Sequence, residues 1–160
     1  GPSSPAPPRR WAATRSPTSG DSCTAANGTA SSRELLQRRS ALKDQSPLKL
    51  TSSASGHLGA GESYETAAIR EMQEEIGLTG KIEFLQRFPA TFETAFEHTV
   101  LYRLVSDEIP VADPAEVLRM ETVTLDEARR WLANDPDDFS SPLRVLLQWY
   151  LENAPPLSAT

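Results

Sequence analysis

One stretch constrains this chain more than any other: Gly56, five residues, Glu62, seven residues, then Arg70-Glu71-Met72-x-Glu74-Glu75-x-Gly77-Leu78. Ser63 can cap free backbone N–H groups, and Gly77 tolerates the left-handed conformation that ends a helix, so a helix of about four turns is expected between them. At about 100° per residue, Glu71, Glu74 and Glu75 fall within an arc of about 100° on one side. Carboxylates spaced i, i+3 and i+4 repel one another, a cost that a bound hard cation reverses. Ala68, Ile69, Met72 and Ile76 occupy an adjoining side and would seat the helix on a core, leaving the carboxylates at an edge. Gly56, Gly59 and Gly61 let the preceding loop turn sharply and approach a phosphate or metal closely.

A glutamate-rich helix is ordinarily a solvated face, and Glu74 and Glu75 alone would be read that way. The whole pattern carries more weight. Fixed identities at this spacing, each at a background of about 6 to 7%, arise by chance on the order of 10⁻⁸ per window. The stretch resembles the Nudix box, G-x5-E-x7-R-E-U-x-E-E-x-G-U with U aliphatic, at every defined position. A softer resemblance covers residues 33–151. Within it Glu34 to Leu58, including Gln37-Arg38-Arg39-Ser40 and Ser52-Ser53-Ala54-Ser55-Gly56-His57, is similar to the Nudix subgroup related to isopentenyl-diphosphate isomerase.

The resemblance implies an α/β fold, an alpha/beta/alpha sandwich with a mixed central sheet. It implies metal-dependent hydrolysis of the diphosphate linkage in a nucleoside diphosphate derivative or a similar small molecule. By position, Glu71, Glu74 and Glu75 resemble the family's metal ligands, and Gly56 would offer a backbone carbonyl. Glu62 would support the site, Arg70 would hold the glutamates in position, and His57 could touch a phosphate. Mg²⁺ or Mn²⁺ suits such oxygen ligands, draws charge from a diphosphate and lowers the pKa of water for attack on phosphorus. The base that accepts the proton is expected at Glu74 or Glu75, with Glu93, Glu97 and Glu116 as candidates outside the box.

Along the chain, residues 1–32 are rich in Ser, Ala, Thr, Pro and Arg and nearly free of aliphatic side chains, so a flexible or atypical segment is expected. Its Arg-rich, acid-poor character also suits an organelle-targeting peptide, while a flexible extension beginning Gly1-Pro2 is the plainer reading. The sequon Asn27-Gly28-Thr29 reads as chance. The folded unit is expected over residues 33–153, with 154–160 as a tail. Glu34-Leu35-Leu36-Gln37, Leu50 to Gly56, Ile82 to Phe88, Phe96 to Val105 and Arg119 to Val123 read as strands. In Phe96 to Val105 the residues alternate between two faces, Phe96, His98, Val100, Tyr102 and Leu104 on one and Glu97, Thr99, Leu101 and Arg103 on the other. Thr124 to Glu127 has capping-box form and opens a helix through Leu132, and Ser141-Pro142 supplies a cap and first-turn proline for a helix through about Leu151. His98, Trp131 and Trp149 read as packing residues.

Against the family pattern, residues 11–32 offer no clear apolar strand, which predicts an exposed sheet edge or an incomplete substrate wall. Pro47-Leu48-Lys49-Leu50 stands where related sequences carry a glycine and a tryptophan. An isomerase is the first alternative activity, but that family has a cysteine where Ser55 stands and binds metal through several histidines, whereas this chain has only His57 and His98. A non-catalytic ligand-binding module is the second, opposed by the complete set of glutamates.

A formal net charge of -6 disfavours a sequence-independent grip on nucleic acid phosphates. Cys23 is the only cysteine, which excludes an intrachain disulfide and a cysteine-based zinc cluster. No apolar run approaches the roughly 20 residues that cross a bilayer, so a cytoplasmic protein without a membrane partner is expected. A homodimer formed through exposed strands is a further expectation.

Overall fold

The computed structural model describes residues 9–15, 33–94, 96–106 and 108–153. Cys23, the sequon at Asn27 and the expected tail 154–160 lie outside the described residues, as does most of the expected flexible segment.

The described strands are β1 (Arg9–Arg15), β2 (Arg33–Arg39), β3 (Leu50–Ser52), β4 (Ala54–His57), β5 (Ile82–Phe88), β6 (His98–Leu104) and β7 (Val117–Thr124). The helices are α1 (Tyr64–Ile76), α2 (Leu125–Asn134) and α3 (Ser141–Asn153), with a short 3₁₀ turn at Pro136–Asp138. Strands run in the order β3-β2-β1-β6-β5, with β4 also on β1 and β7 on β2. β1 runs parallel to β6 from Arg9↔His98 to Arg15↔Leu104 and antiparallel to β4, so the sheet is mixed.

The expectation that no strand precedes β2 is overturned: Arg9–Arg15 lies inside the sheet, not in a tail. Apart from Trp11, its small and charged residues carry no alternating apolar pattern. A strand hydrogen-bonded on both sides is held by its backbone ladder, which is blind to side-chain hydropathy.

Successive strand residues point to opposite faces, and the core divides accordingly. Leu35, Val100, Tyr102 and Leu104 pack with Ala67, Ala68, Met72 and Ile76 of α1. Leu36 joins Leu143 and Leu147 of α3 and Ala128 of α2, and Leu101 joins Leu146 and Tyr150 of α3. Helices therefore cover both faces. β6 is buried along nearly its whole length because it is sandwiched, so its second face is not solvated; Arg103 is buried there, paired with Glu83 at 2.9 Å.

Helix ends follow local chemistry. Thr124 and Glu127 form the expected capping box on α2. For α3 the cap is Ser140, one residue earlier than expected: its hydroxyl accepts the Leu143 N–H at 3.3 Å, and Ser141 is the first helical residue.

Candidate active site

α1 is fixed at both ends. The Ser63 hydroxyl accepts the Thr66 N–H at 3.2 Å, and Gly77 closes the helix at φ 65°, where a side chain would be strained. The last carbonyls, which no helical N–H reaches, accept from a crossing segment: Asp113 N–H donates to Glu75 O at 2.8 Å and Val111 N–H to Ile76 O at 2.9 Å. Burial of Met72 and Ile76, each stabilising by about 1.5–3 kcal/mol, presses one side of α1 onto the sheet. The glutamates follow at the edge of that contact.

Their environments differ sharply. Glu75 is 8% exposed, and its Oε2 accepts from Gln37 Nε2 at 3.1 Å and from the Ser55 N–H at 3.2 Å. Burial pushes its carboxyl up to about 7, against the two hydrogen bonds that favour the charged form, while Glu71 and Glu116 raise it further. Glu71 is half-buried and Glu74 exposed; both accept from Arg70 Nη1, at 2.7 Å and 3.3 Å.

Arg70 in turn grips Glu62 with Nε and Nη2, both at 2.9 Å, and Glu62 also accepts the Gly59 N–H at 2.9 Å. The guanidinium beside it, then the backbone donor, hold the Glu62 carboxyl down at about 2, and the carboxylates raise Arg70 above its ordinary value. The loop and helix are thereby one hydrogen-bonded unit, with Arg70 Nη2 also 3.4 Å from His57 O.

Gly56 is needed for room: a Cβ there would stand 2.7 Å from Glu71 Cγ and Cδ. Its backbone is thus packed directly against the carboxylate that the helix presents.

A cavity of about 380 Å³ gathers these groups. Gly56, His57, Glu71, Glu74 and Glu75 line it, together with Glu116, Asp113, Arg39 and Lys43. Of the outside base candidates, Glu116 is in this cavity, ion-paired with Lys43. Glu97 instead meets the His57 ring at 2.7 Å, and Glu93 lines a different cavity.

The sequence pattern gives Gln37, Arg39, Lys43 and Asp113 no role at the site. Gln37 and Arg39 were within reach of period-2 reasoning, since they follow Leu35 by two and four residues on the strand face that packs α1. Lys43 and Asp113 sit in loops, where no periodicity places them.

As the side chains stand, no three of His, Cys, Asp and Glu among the described residues converge on an ion. The reason is visible in the hydrogen bonds: Arg70 draws Glu71 and Glu74 toward itself, and Glu75 is turned to Gln37 and Ser55. The donor set itself fits a hard divalent cation, being carboxylate and carbonyl oxygen along one wall.

A family model described as NUDIX domain matches residues 25–149. The chain is 34% identical over 122 residues to an isopentenyl-diphosphate Delta-isomerase of Nocardia farcinica, covering 72% of this chain and 70% of that protein. It is 35% identical over 116 residues to a prenyl-diphosphate phosphatase of Methanosarcina mazei, covering 70% and 68%. Among solved structures it resembles a Deinococcus radiodurans protein with a TM-score of 0.71 at 24% identity, covering 88% of this chain and 81% of that one. It also resembles the NUDIX domain of Shewanella oneidensis NrtR, solved with ADP ribose, with a TM-score of 0.68 at 14% identity, covering 91% and 87%.

Proposed function

Because the chain belongs to the NUDIX domain family, we propose that it is a metal-dependent hydrolase that cleaves the diphosphate linkage of a small molecule, with its chemistry in the cavity beside α1. The carrying observation is the pairing, in one cavity, of the box glutamates with Arg39 and Lys43. An anionic diphosphate needs cationic partners, and a cluster of carboxylates repels it unless a cation stands between.

Glu71, Glu74, Glu75 and the Gly56 carbonyl would hold Mg²⁺ or Mn²⁺, which supplies positive charge to the phosphate oxygens and lowers the pKa of water. Arg39 and Lys43 bind the diphosphate and orient it. Arg70 and Glu62 keep the glutamates placed, and His57, fastened to Glu97, borders the phosphate position. Glu74 or Glu75 accepts the proton of the attacking water, with Glu116 as the remaining outside candidate in the cavity. The new phosphorus–oxygen bond forms as the bridging oxygen leaves with its electron pair.

The names of the two curated relatives favour a prenyl diphosphate over a nucleoside diphosphate derivative as the substrate. Isomerisation is the second reading, favoured by the Nocardia farcinica relative. It is weakened by Ser55, which stands where the isomerase resemblance expects a cysteine and whose backbone N–H is given to Glu75.

The deciding experiment incubates a panel of prenyl and nucleoside diphosphates with Mg²⁺ or Mn²⁺ and follows phosphate release and the carbon skeleton together. Metal-dependent phosphate release, lost in Glu75→Gln, supports the hydrolase. Double-bond migration without release establishes the isomerase, and binding without either marks a ligand-binding module.

A further inference from the structure

As the side chains stand, the two cations of the glutamate-lined cavity already face an anion of the chain itself. Lys43 Nζ is ion-paired with Glu116 Oε2. Burial lowers the Arg39 guanidinium, and Glu75 and then Glu116 raise it. Glu116 therefore acts on Arg39 as well as on Lys43, and all three line one cavity with Glu71, Glu74 and Glu75. A carboxylate of the protein thus engages the same cationic partners that an anionic ligand needs.

The backbones that carry the pair are fixed. The loop between β2 and β3 is closed at its base, where Arg39 N–H donates to Lys49 O at 2.9 Å and Leu48 N–H to Arg39 O at 3.2 Å. Arg38 Nη1 also donates to Leu48 O, at 3.0 Å, and Arg39 Nε to Gln45 O at 2.9 Å. Glu116 is tied on both sides, its N–H donating to Asp113 O at 3.0 Å and its carbonyl accepting the Ser40 N–H at 3.1 Å. Opening the pair therefore needs only side-chain rotation, and lysine carries its charge on a flexible four-carbon stem. With side chains 28% and 37% exposed, neither Lys43 nor Glu116 is stranded away from water when the pair opens.

We infer that Glu116 is an internal competitor of the substrate for Lys43: it holds the ammonium at the cavity wall without substrate, and the diphosphate takes the ammonium over and releases the carboxylate. The inference rests on the reading that a diphosphate binds in this cavity. A diphosphate brings several negative charges against the single charge of Glu116, so the exchange runs toward the ligand. The pair places Lys43 in advance, which lowers the cost of ordering a long side chain on binding. Its rupture opposes binding in turn. An ammonium beside a carboxylate favours the charged form, so Glu116 is free to accept a proton only once Lys43 has left it.

The test is calorimetric binding, in Mg²⁺, of methylenediphosphonate, whose P–C–P bridge is not hydrolysed. Glu116→Gln binds it about threefold tighter than wild type or better, the scale of a partly exposed ion pair. Glu116→Ala, which leaves Lys43 no side-chain oxygen to return to, shows the same gain. The gain depends on the ammonium: adding Glu116→Gln to Lys43→Met brings none, a double-mutant cycle that isolates the pair. Asp113→Asn removes another carboxylate of the cavity, whose Oδ1 accepts the Ala115 N–H at 3.0 Å, and gains less than Glu116→Gln. Binding by both Glu116 variants no tighter than wild type, an equal gain in the Lys43→Met background, or an equal gain in Asp113→Asn overturns the inference. No binding by wild type or any variant overturns it together with the cavity's role in holding a diphosphate. The expected gain without turnover of any diphosphate in the panel sinks the hydrolase reading alone.

Discussion

Gln37 donates from Nε2 to Glu75 Oε2 at 3.1 Å, so the most buried glutamate of α1 is held by a strand 38 residues away in sequence. That bond and the Ser55 N–H hold a carboxylate where burial opposes charge, which makes Glu75 sensitive to pH and to metal.

Glu75 should make the metal-free protein less stable as pH rises. Its folded value of about 7 exceeds the ordinary 4.5, so the folded state binds the proton more tightly. The stability it contributes is full below about 4.5 and is lost as pH climbs through 7, by up to about 3 kcal/mol. In chelator, Glu75→Gln should match wild type in acid and exceed it at pH 8. Denaturant midpoints across this range test it; parallel profiles would contradict the assignment.

Glu62 should behave in the opposite sense. Its carboxyl is held at about 2 by Arg70 and the Gly59 N–H, so its stabilisation is present above about 4.5 and fades as pH falls through 2. Glu62→Gln should therefore be less stable than wild type at neutral pH, with the gap closing in acid. Activity at neutral pH should fall as well, because Arg70 loses the anchor that positions Glu71 and Glu74.

Gly56→Ala should damage activity more than folding. The added Cβ meets Glu71 Cγ and Cδ at 2.7 Å, so the carboxylate must swing away, at an overpacking cost of about 1–3 kcal/mol. Steady-state kinetics should show at least about a tenfold loss, given that removal of a charged contact costs about 1.5–3 kcal/mol. Thermal melts should still show a cooperative transition.

Mg²⁺ or Mn²⁺ should raise the melting temperature of wild type in a concentration-dependent way, as any ligand bound only by the folded state does. Glu71→Gln or Glu75→Gln should shrink that shift. Ca²⁺ with a larger shell, or no cation at all, stabilising the fold would redirect the assignment of the metal.

Arg39→Met and Lys43→Met should raise KM for a diphosphate by about tenfold each while leaving metal-dependent stabilisation in place. Increasing salt should narrow the difference from wild type, since charges open to solvent on one side are partly screened. Unchanged KM in both variants would remove them from substrate binding.

The box was legible because local rules suffice there. Ser63 and Gly77 punctuate α1, and a 3.6-residue period puts Glu71, Glu74 and Glu75 near one another whatever the rest of the chain does. The strands β5, β6 and β7 were visible from their runs of apolar and β-branched residues. β1 was not, because Arg9–Arg15 has a strand partner on each side and needs no apolar pattern of its own. The cap of α3 was displaced by one residue, from Ser141 to Ser140, a choice between adjacent serines that only backbone geometry makes.

The sequence by itself determined the helix that carries the glutamates, its ends and the hydrogen-bonding unit of Glu62, Arg70 and Glu71, since all of these lie within a few turns of one another. Tertiary structure decided which glutamate is buried, that Gln37 and Ser55 hold it, that Arg39, Lys43 and Glu116 share its cavity while Glu93 lines another, and that Glu97 meets His57. The physical reason is range: helix geometry and capping act over neighbours in sequence, whereas desolvation and charge pairing depend on which distant strands and loops the packed sheet brings alongside.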